Sequence, residues 1–547
     1  MRITDLLRRH GYLKSEREDW RPQWQELSRF ILPNAGRYFI EDRNKGHNRT
    51  NNIYDNTATL ALRNLSAGMM SGATSPSRPW FKLGTSDPDL NNFHSAKIWL
   101  HDMTQRMSAI FQSSNTYRTL HSRYNDLGVF GTASSLLLFD FDKVIHHYPS
   151  TIGEYCISTD YKGTVNTYYR EFQKTVAELV KEFGYDNCST GVRSMWDAGT
   201  LDTWVTVIHA IEPRGDRDLS MEDNKNMPFA SYYFELGGDG DQFLREGGFK
   251  IFPVLAPRWD VTGGDIYGRA PGMTGLGDVK QLQHEQLRKA QAIDLQTDPP
   301  LQVPAKLKNR GVQRLPGGIT YVDGAQGQSI KTMFDVNLDL RFLREDIEDV
   351  RGRIRSAFFS DLFLMMANAT DTRMTATEVA ERHEEKLLML GPVIERLHNE
   401  LLSPLIEITF AHMVQAGIVP PPPKELQGVE LNVEYVSILA QAQKAIGTNG
   451  VDRFTNKLGE IATFKPDVLD KFDADKWADS YSDMLGVDPN IIIANDQVAL
   501  IRQTRAEAEA AQAQIEAQKV QSETAKNLSE SNTGGDSNAL TDIMSEE

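Results

Sequence analysis

The segment DVNLDLRFLREDIEDVRGRIRSAF, Asp335 to Phe358, sets the architecture of the chain. Leu340, Leu343, Ile347, Val350 and Ile354 recur at steps of three and four, which places them on one stripe of an α-helix. A narrow apolar stripe on a long helix calls for neighbouring helices to cover it. One candidate lies upstream, where Asp278–Thr297 reads as a helix of about twenty residues, roughly 30 Å long, stopped by Asp298-Pro299-Pro300. Between the two, Leu301 to Met333 carries Pro304, Gly311, Pro316, Gly317, Gly318, Gly324 and Gly327 and reads as a compact β or loop module. The central plan is two long helices flanking a small insert.

Downstream, the apolar stretch Phe358–Met366 gives way to the polar Ala367–Asp371. Thr375 with Glu378 forms a capping box that opens a long periodic run through Leu387, Ile394, Leu401 and Ile408. Pro392 and Pro404 inside that run each remove a backbone donor, so this helix should be kinked. It closes at Gly417, before the stiff linker Pro420–Pro423. Val429–Ile493 reads as a small helical unit, Ala506–Leu528 as a strong helix by propensity, and 529–547 as disordered. Upstream, Leu13 to about Leu127 is mostly helical, with Trp20, Trp24, Leu27 and Ile31 in helical register. From about Leu136 to Trp259 the period changes to two: Val165, Thr167 and Tyr169 alternate after the turn Asp160–Gly163, and Val205, Val207, His209 and Ile211 alternate likewise. Strands that follow one another without crossover helices imply an antiparallel layer.

The 547 residues exceed a typical domain several times over, and 40% apolar with 24% charged content is ordinary globular usage. A formal net charge of −16 argues against whole-surface nucleic-acid binding by phosphate neutralisation. Two cysteines, Cys156 and Cys188, make no disulfide framework. No stretch has the apolar length of a membrane span, and Met1–Gly11 lacks the features of a secretory signal.

The tests for chemistry return structural readings. The Gly-Lys-Ser/Thr ending of a phosphate-binding loop is absent, and Gly272, Gly275 and Gly277 have turn spacing rather than a dinucleotide fingerprint. His146-His147 point to opposite faces of a strand, and His383-Glu384-Glu385 lacks a second histidine one turn on. Gly68-Met69-Met70-Ser71-Gly72 has its serine one place late for a nucleophile elbow and follows a helix, so it reads as a helix-ending turn. No enzyme, metal or cofactor is expected. A basic run, Lys306, Lys308, Arg310 and Arg314, marks the insert, which has no acidic residue between Asp298 and Asp323.

The order of these segments resembles the portal, or head-to-tail connector, proteins of short-tailed bacteriophages. Local patterns carry the likeness: Asn52-Ile53-Tyr54-Asp55-Asn56, Leu65–Met70, Ser77-Arg78-Pro79-Trp80-Phe81, Gly264–Arg269, and Arg373–Val379. The resemblance covers roughly residues 15 to 415. It implies an α+β, mainly helical portal fold: a wing (1–277, β-rich at 135–260), a first stem helix (278–298), a small α/β clip (299–334) and a second stem helix (335–357). A tunnel loop (358–374), a long kinked helix of the wing (375–419), a helical crown (420–528) and a tail (529–547) complete it. It further implies a ring, dodecameric in this family, at one capsid vertex of the virion, assembled in the host bacterial cytoplasm. Double-stranded DNA would pass through the ring without sequence preference. The expected partners are terminase in transit, tail adaptor and nozzle proteins, and major capsid and scaffolding proteins, with no membrane. Phe363, Leu364, Met365, Met366, Asn368 and Thr370 are the channel candidates. Lys306, Lys308, Arg310 and Arg314 are the clip candidates, and Leu340, Leu343, Ile347, Val350 and Ile354 would pack the stem against adjacent subunits. Two rival readings remain: another ring of the tail, or a soluble enzyme with a buried site.

Overall fold

A computed structural model describes residues 2–38, 49–87, 90, 93–221, 223–238, 242–297, 301–302, 331–332, 341–368, 390–429, 431–437, 455, 457–478, 493 and 495–530. The fold is mainly helical with antiparallel sheets. It separates into a large unit (1–83, 102–421 and 432–469) and a small one (84–101, 422–431 and 470–547).

The large unit opens with helices α1 (Ile3–Glu18), α2 (Arg21–Phe30) and α3 (Thr57–Ala73). Strand β1 (Phe81–Thr85) and helix α4 (His94–Ser113) lead to α5 (Thr116–Phe130). Gly131 ends α5 at φ 75°, and a Cβ there would lie 2.2 Å from the Gly268 carbonyl oxygen. Both the left-handed backbone and the close approach therefore require glycine.

The β layer follows as two antiparallel sheets. Strands β2 (Ser134–Asp140), β3 (Val144–Ser150) and β9 (Val254–Leu255) pair in the order β3-β2-β9. Strands β4 (Tyr155–Thr159), β5 (Val165–Thr175), β6 (Trp204–Pro213), β7 (Phe229–Glu235) and β8 (Arg245–Phe249) pair in sequence order. Alternation gives this second sheet two buried faces. Ile208, Ala210, Tyr232 and Phe234 meet Leu6 and Leu13 of α1, while Val207 meets Leu179 and Val192. The latter two belong to α6 (Val176–Phe183) and α7 (Thr190–Asp197), inserted between β5 and β6. The layer is antiparallel as expected, and these two helices are an excursion between β5 and β6 rather than a crossover. The Thr175/Glu178 capping box, with both reciprocal bonds present, starts α6, and the two short helices return the chain antiparallel beside β5.

The first long helix, α8 (Pro271–Thr297), starts seven residues before the expected Asp278. The glycines read as a turn lie within its first two turns. A Cβ at Gly272 would stand 2.8 Å from the Val129 carbonyl oxygen, so close packing on the end of α5, rather than a turn, selects glycine there. Two short strands, β10 (Leu301–Gln302) and β11 (Lys331–Thr332), pair antiparallel and tie together the two ends of the insert. The chain continues in α9 (Arg341–Ala357) and α10 (Ser360–Asn368). Helix α11 (390–397) runs through a π segment, His398–Leu402, into α12 (Ser403–Gln415).

In the small unit, α13 (Asn495–Glu530) is a 36-residue helix exposed at every position whose side chain is described, apart from the half-buried Val498. Arg502 forms a two-pronged ion pair with Asp475 at 2.6 and 2.8 Å. Among the described residues, no helix is long and apolar enough to cross a membrane.

Candidate functional site: the paired long helices and their anchors

Helices α8 and α9 pack side by side. Ile347, Val350 and Ile354 are buried to 2% exposure or less, and Val279 and Leu282 of α8 are fully buried. Covering this stripe was expected to need a second subunit. Within one chain α8 and α3 already pack against α9 and cover these three residues. Leu343 is half-buried, and Leu340 lies outside the described residues. Arg353 reaches across to Asp278 at 3.4 Å. Beyond Gln283 no described side chain of α8 is buried, and Ile293, Leu295 and, on α9, Phe342 are exposed apolar groups.

The loop before α3 joins both helices. Gln283 of α8 accepts the Tyr54 and Asp55 N–H groups through Oε1 at 2.6 and 2.9 Å, and its Nε2 donates to the Asp55 carbonyl at 3.0 Å. The Asp55 carboxylate accepts Arg351 of α9 through Nη2 at 2.7 Å and Nε at 3.1 Å, and Gln286 of α8 at 3.0 Å. Thr57 completes the set through its N–H and hydroxyl. Burial alone would raise the Asp55 pKa, but the bonds from Thr57 and Arg351 outweigh it, and the net direction is down. Arg351 is held charged chiefly by its bond to Asp55.

The turn from α9 to α10 passes through Phe359 at φ 51°, a strained conformation for a bulky residue. A cavity of about 610 Å³ opens beside it, walled by Trp259, Pro271, Ala357 and Phe359, with Arg269 and Arg353 at its edge. Arg269 is paired with Asp265 at 3.2 Å. Among the described residues, no group of three or more His, Cys, Asp and Glu side chains is placed to hold a metal ion.

Helix α10 lies on α3, with Asn64 donating to the Ser360 hydroxyl at 2.8 Å. Of the channel candidates, Phe363 is 1% exposed, seated over Gly68 of α3, and is a core residue of this chain. Leu364, one residue on, is 41% exposed. Met365, Met366 and Asn368 fall in α10, so this part of the expected loop is helical. Thr370 lies outside the described residues, as do Lys306, Lys308, Arg310 and Arg314. The same α3 contains Ser71, whose hydroxyl donates to the Gly68 carbonyl, so the Gly68–Gly72 stretch is part of a continuous helix that ends at Ala73 rather than a nucleophile elbow.

Of the run expected to form one long kinked helix, residues 375–389, with the Thr375/Glu378 capping box, lie outside the described residues, and the described part is held at its irregular point. Pro404 cannot donate a backbone bond, and just before it the ladder widens to the π pattern, the Ser403 N–H reaching the His398 carbonyl. Glu400, inside this bulge, accepts three bonds from Arg258: the backbone N–H at 2.8 Å, Nε at 3.2 Å and Nη2 at 2.6 Å. Arg258 also bonds the Gly163 and Ile266 carbonyls and is 4% exposed. Pro404 marks the irregular ladder in the sequence, but nothing local marks Arg258, which is 142 residues away.

The family model for the bacteriophage head to tail connecting protein matches residues 4–493. This chain belongs to that family. The portal-family match extends over nearly the full chain in two relatives. The "Probable portal protein" of Bordetella phage BPP-1 is 59% identical over 539 residues, 98% of this chain and 97% of that one. The "Portal protein" of Salmonella phage epsilon15 is 47% identical over 541 residues, with the same shares. A solved chain from the neck of an empty gene transfer agent particle overlaps 77% of this portal-family chain and 94% of its own length at a TM-score of 0.31 and 11% identity.

Proposed function

We propose that this connector-family chain forms a closed ring at one capsid vertex, dodecameric by family resemblance, through which double-stranded DNA is packaged and released. In this reading α8 and α9 are the stem, 299–334 the clip, 358–374 the tunnel region, and the residues after 420 the crown. The near-complete match to a relative named as a portal protein carries the proposal. The structure supplies physical support: burial on α8 ends at Gln283, and the outer parts of both helices keep exposed apolar groups that a neighbouring copy in a ring would cover. With a charge of −16 on each chain, a ring whose acids line the bore would repel DNA from the wall and let it slide.

The protein's role is then structural, and DNA translocation belongs to a terminase that docks at the clip and is later replaced by tail proteins. Capsid and scaffolding proteins would hold the outer wing. Replacing Lys306, Lys308 and Arg310 together with Gln tests the clip assignment. Rings should still assemble, while genome retention or motor docking is impaired; unchanged packaging and retention would remove that assignment.

A further inference from the structure

We infer that Asp55 is a positioning residue: the 54–57 segment is a latch that sets the angle and register at which α8 and α9 leave the body. The functional consequence, a stem held at fixed pitch, rests on the portal reading; the geometry does not. Asp55 and Gln283 are only 8% and 4% exposed; Gln283 spends its amide on the 54–55 backbone, while Asp55 turns Oδ2 to Arg351 and Gln286 and Oδ1 to Thr57 within the segment. Apolar packing tolerates sliding, whereas directional bonds to Arg351, Gln286 and Gln283 hold only one arrangement. A slip of either helix by one residue, about 1.5 Å, would break the set.

Location strengthens the inference. On α8 the network sits at residues 283 and 286, beside the last buried side chains, and from Arg288 onward the helix is exposed apart from half-buried Lys289 and Ala292. On α9 it sits at Arg351, one turn from Ile347, before which the helix is largely exposed. The latch therefore lies where buried helix becomes exposed helix on both rods, which is where a small rotation moves the far ends most.

The test uses the full chain with cysteines introduced at Ala290 on α8 and Lys181 on α6, both exposed. Native Cys156 and Cys188 are buried and are spared by spin labels. Labelled chains are diluted into excess unlabelled chain, and the distance distribution is measured by pulsed EPR. The unaltered latch should give one narrow distribution. Asp55→Asn and Arg351→Gln should broaden it and speed amide exchange at residues 54–57 by about tenfold, the worth of a charged hydrogen bond. Arg351→Lys should rescue only in part, because it lacks the two-pronged fork. Lys280→Gln, which removes an exposed ion pair with Glu26, should change nothing. If Asp55→Asn does not fold, Gln283→Met removes the backbone bonds while keeping the shape. A distribution unchanged in centre and width in these variants overturns the latch. Failure of the unaltered chain to form rings would overturn the portal reading instead, with the distance result still standing.

Discussion

Gly68 is the position where two opposing effects can be weighed against each other. In a helix interior, glycine to alanine should stabilise by about 1 kcal/mol. Here a Cβ would stand 2.3, 2.4 and 2.6 Å from Phe363 Cβ, Cδ1 and Cγ. Rotating the Phe363 ring cannot relieve this, because the nearest atom is its own Cβ. Helices α3 and α10 must instead separate, and Leu62, Leu65 and Leu362, all fully buried, lose contacts with them. Overpacking of this kind costs about 1–3 kcal/mol and more where the neighbour is rigid, so Gly68→Ala should destabilise by about 2 kcal/mol net. Phe363→Ala alone should cost about 3–5 kcal/mol through its cavity. The pair should not add: the new methyl group enters the space the ring vacates, and the double variant should be more stable than the sum by about 2 kcal/mol. Opening free energies from amide exchange along α3 give all four corners of the cycle. A Gly68→Ala chain as stable as the parent, or strict additivity, refutes the packing argument.

Acid should weaken the body of the protein through three buried histidines. Burial lowers the pKa of His10 to about 4 and of His147 to about 3, and moves that of His209 well below its ordinary value. His147 and His209 bond Thr116 and Ser231 through Nε2, each at 3.0 Å. Between pH 7 and 5 the unfolded chain binds protons that the folded chain refuses, so stability falls by on the order of 2 kcal/mol per histidine. Asp126, raised to about 6 chiefly by burial, has the opposite sign and returns about 1 kcal/mol over the same range. Thermal unfolding should therefore move down from pH 7 to 5; a flat profile contradicts the assignment of neutral buried rings. At the kinked helix, Glu400→Ala leaves the Arg258 guanidinium buried without its carboxylate and should cost about 3–5 kcal/mol, while Glu400→Gln costs less. Equal losses from the two, read by chemical unfolding, would show that charge does not matter there.

Local period made the elements legible. The stripe of Ile347, Val350 and Ile354 and the hairpin at Asp160–Gly163 stand in the structure where their spacing put them, and Pro404 follows directly on a π segment. The start of α8 was missed because Gly272, Gly275 and Gly277 signal a turn by propensity, and only the approach of the Val129 backbone explains them inside a helix. The seat of Phe363 is hidden for a related reason: an apolar stretch looks alike whether it lines a channel or fills a groove, and Gly68 lies 295 residues away. The anchors were the least legible part. Asp55 and Arg351, or Arg258 and Glu400, are ordinary charged residues until the chain brings them together across 296 and 142 positions. The family pattern around Asn52–Asn56 pointed at the loop but not at the carboxylate that does the holding.

The central claim is that copies of this chain close into a ring around a bore wide enough for a DNA duplex. Native mass measurement of the purified assembly, combined with electron-microscope images of the same sample, tests it most directly. A single oligomer closed by heterologous contacts is expected, with about twelve copies as the portal resemblance implies and an axial opening in end-on views. A species that stays monomeric at high concentration, or a compact particle with no opening, contradicts it.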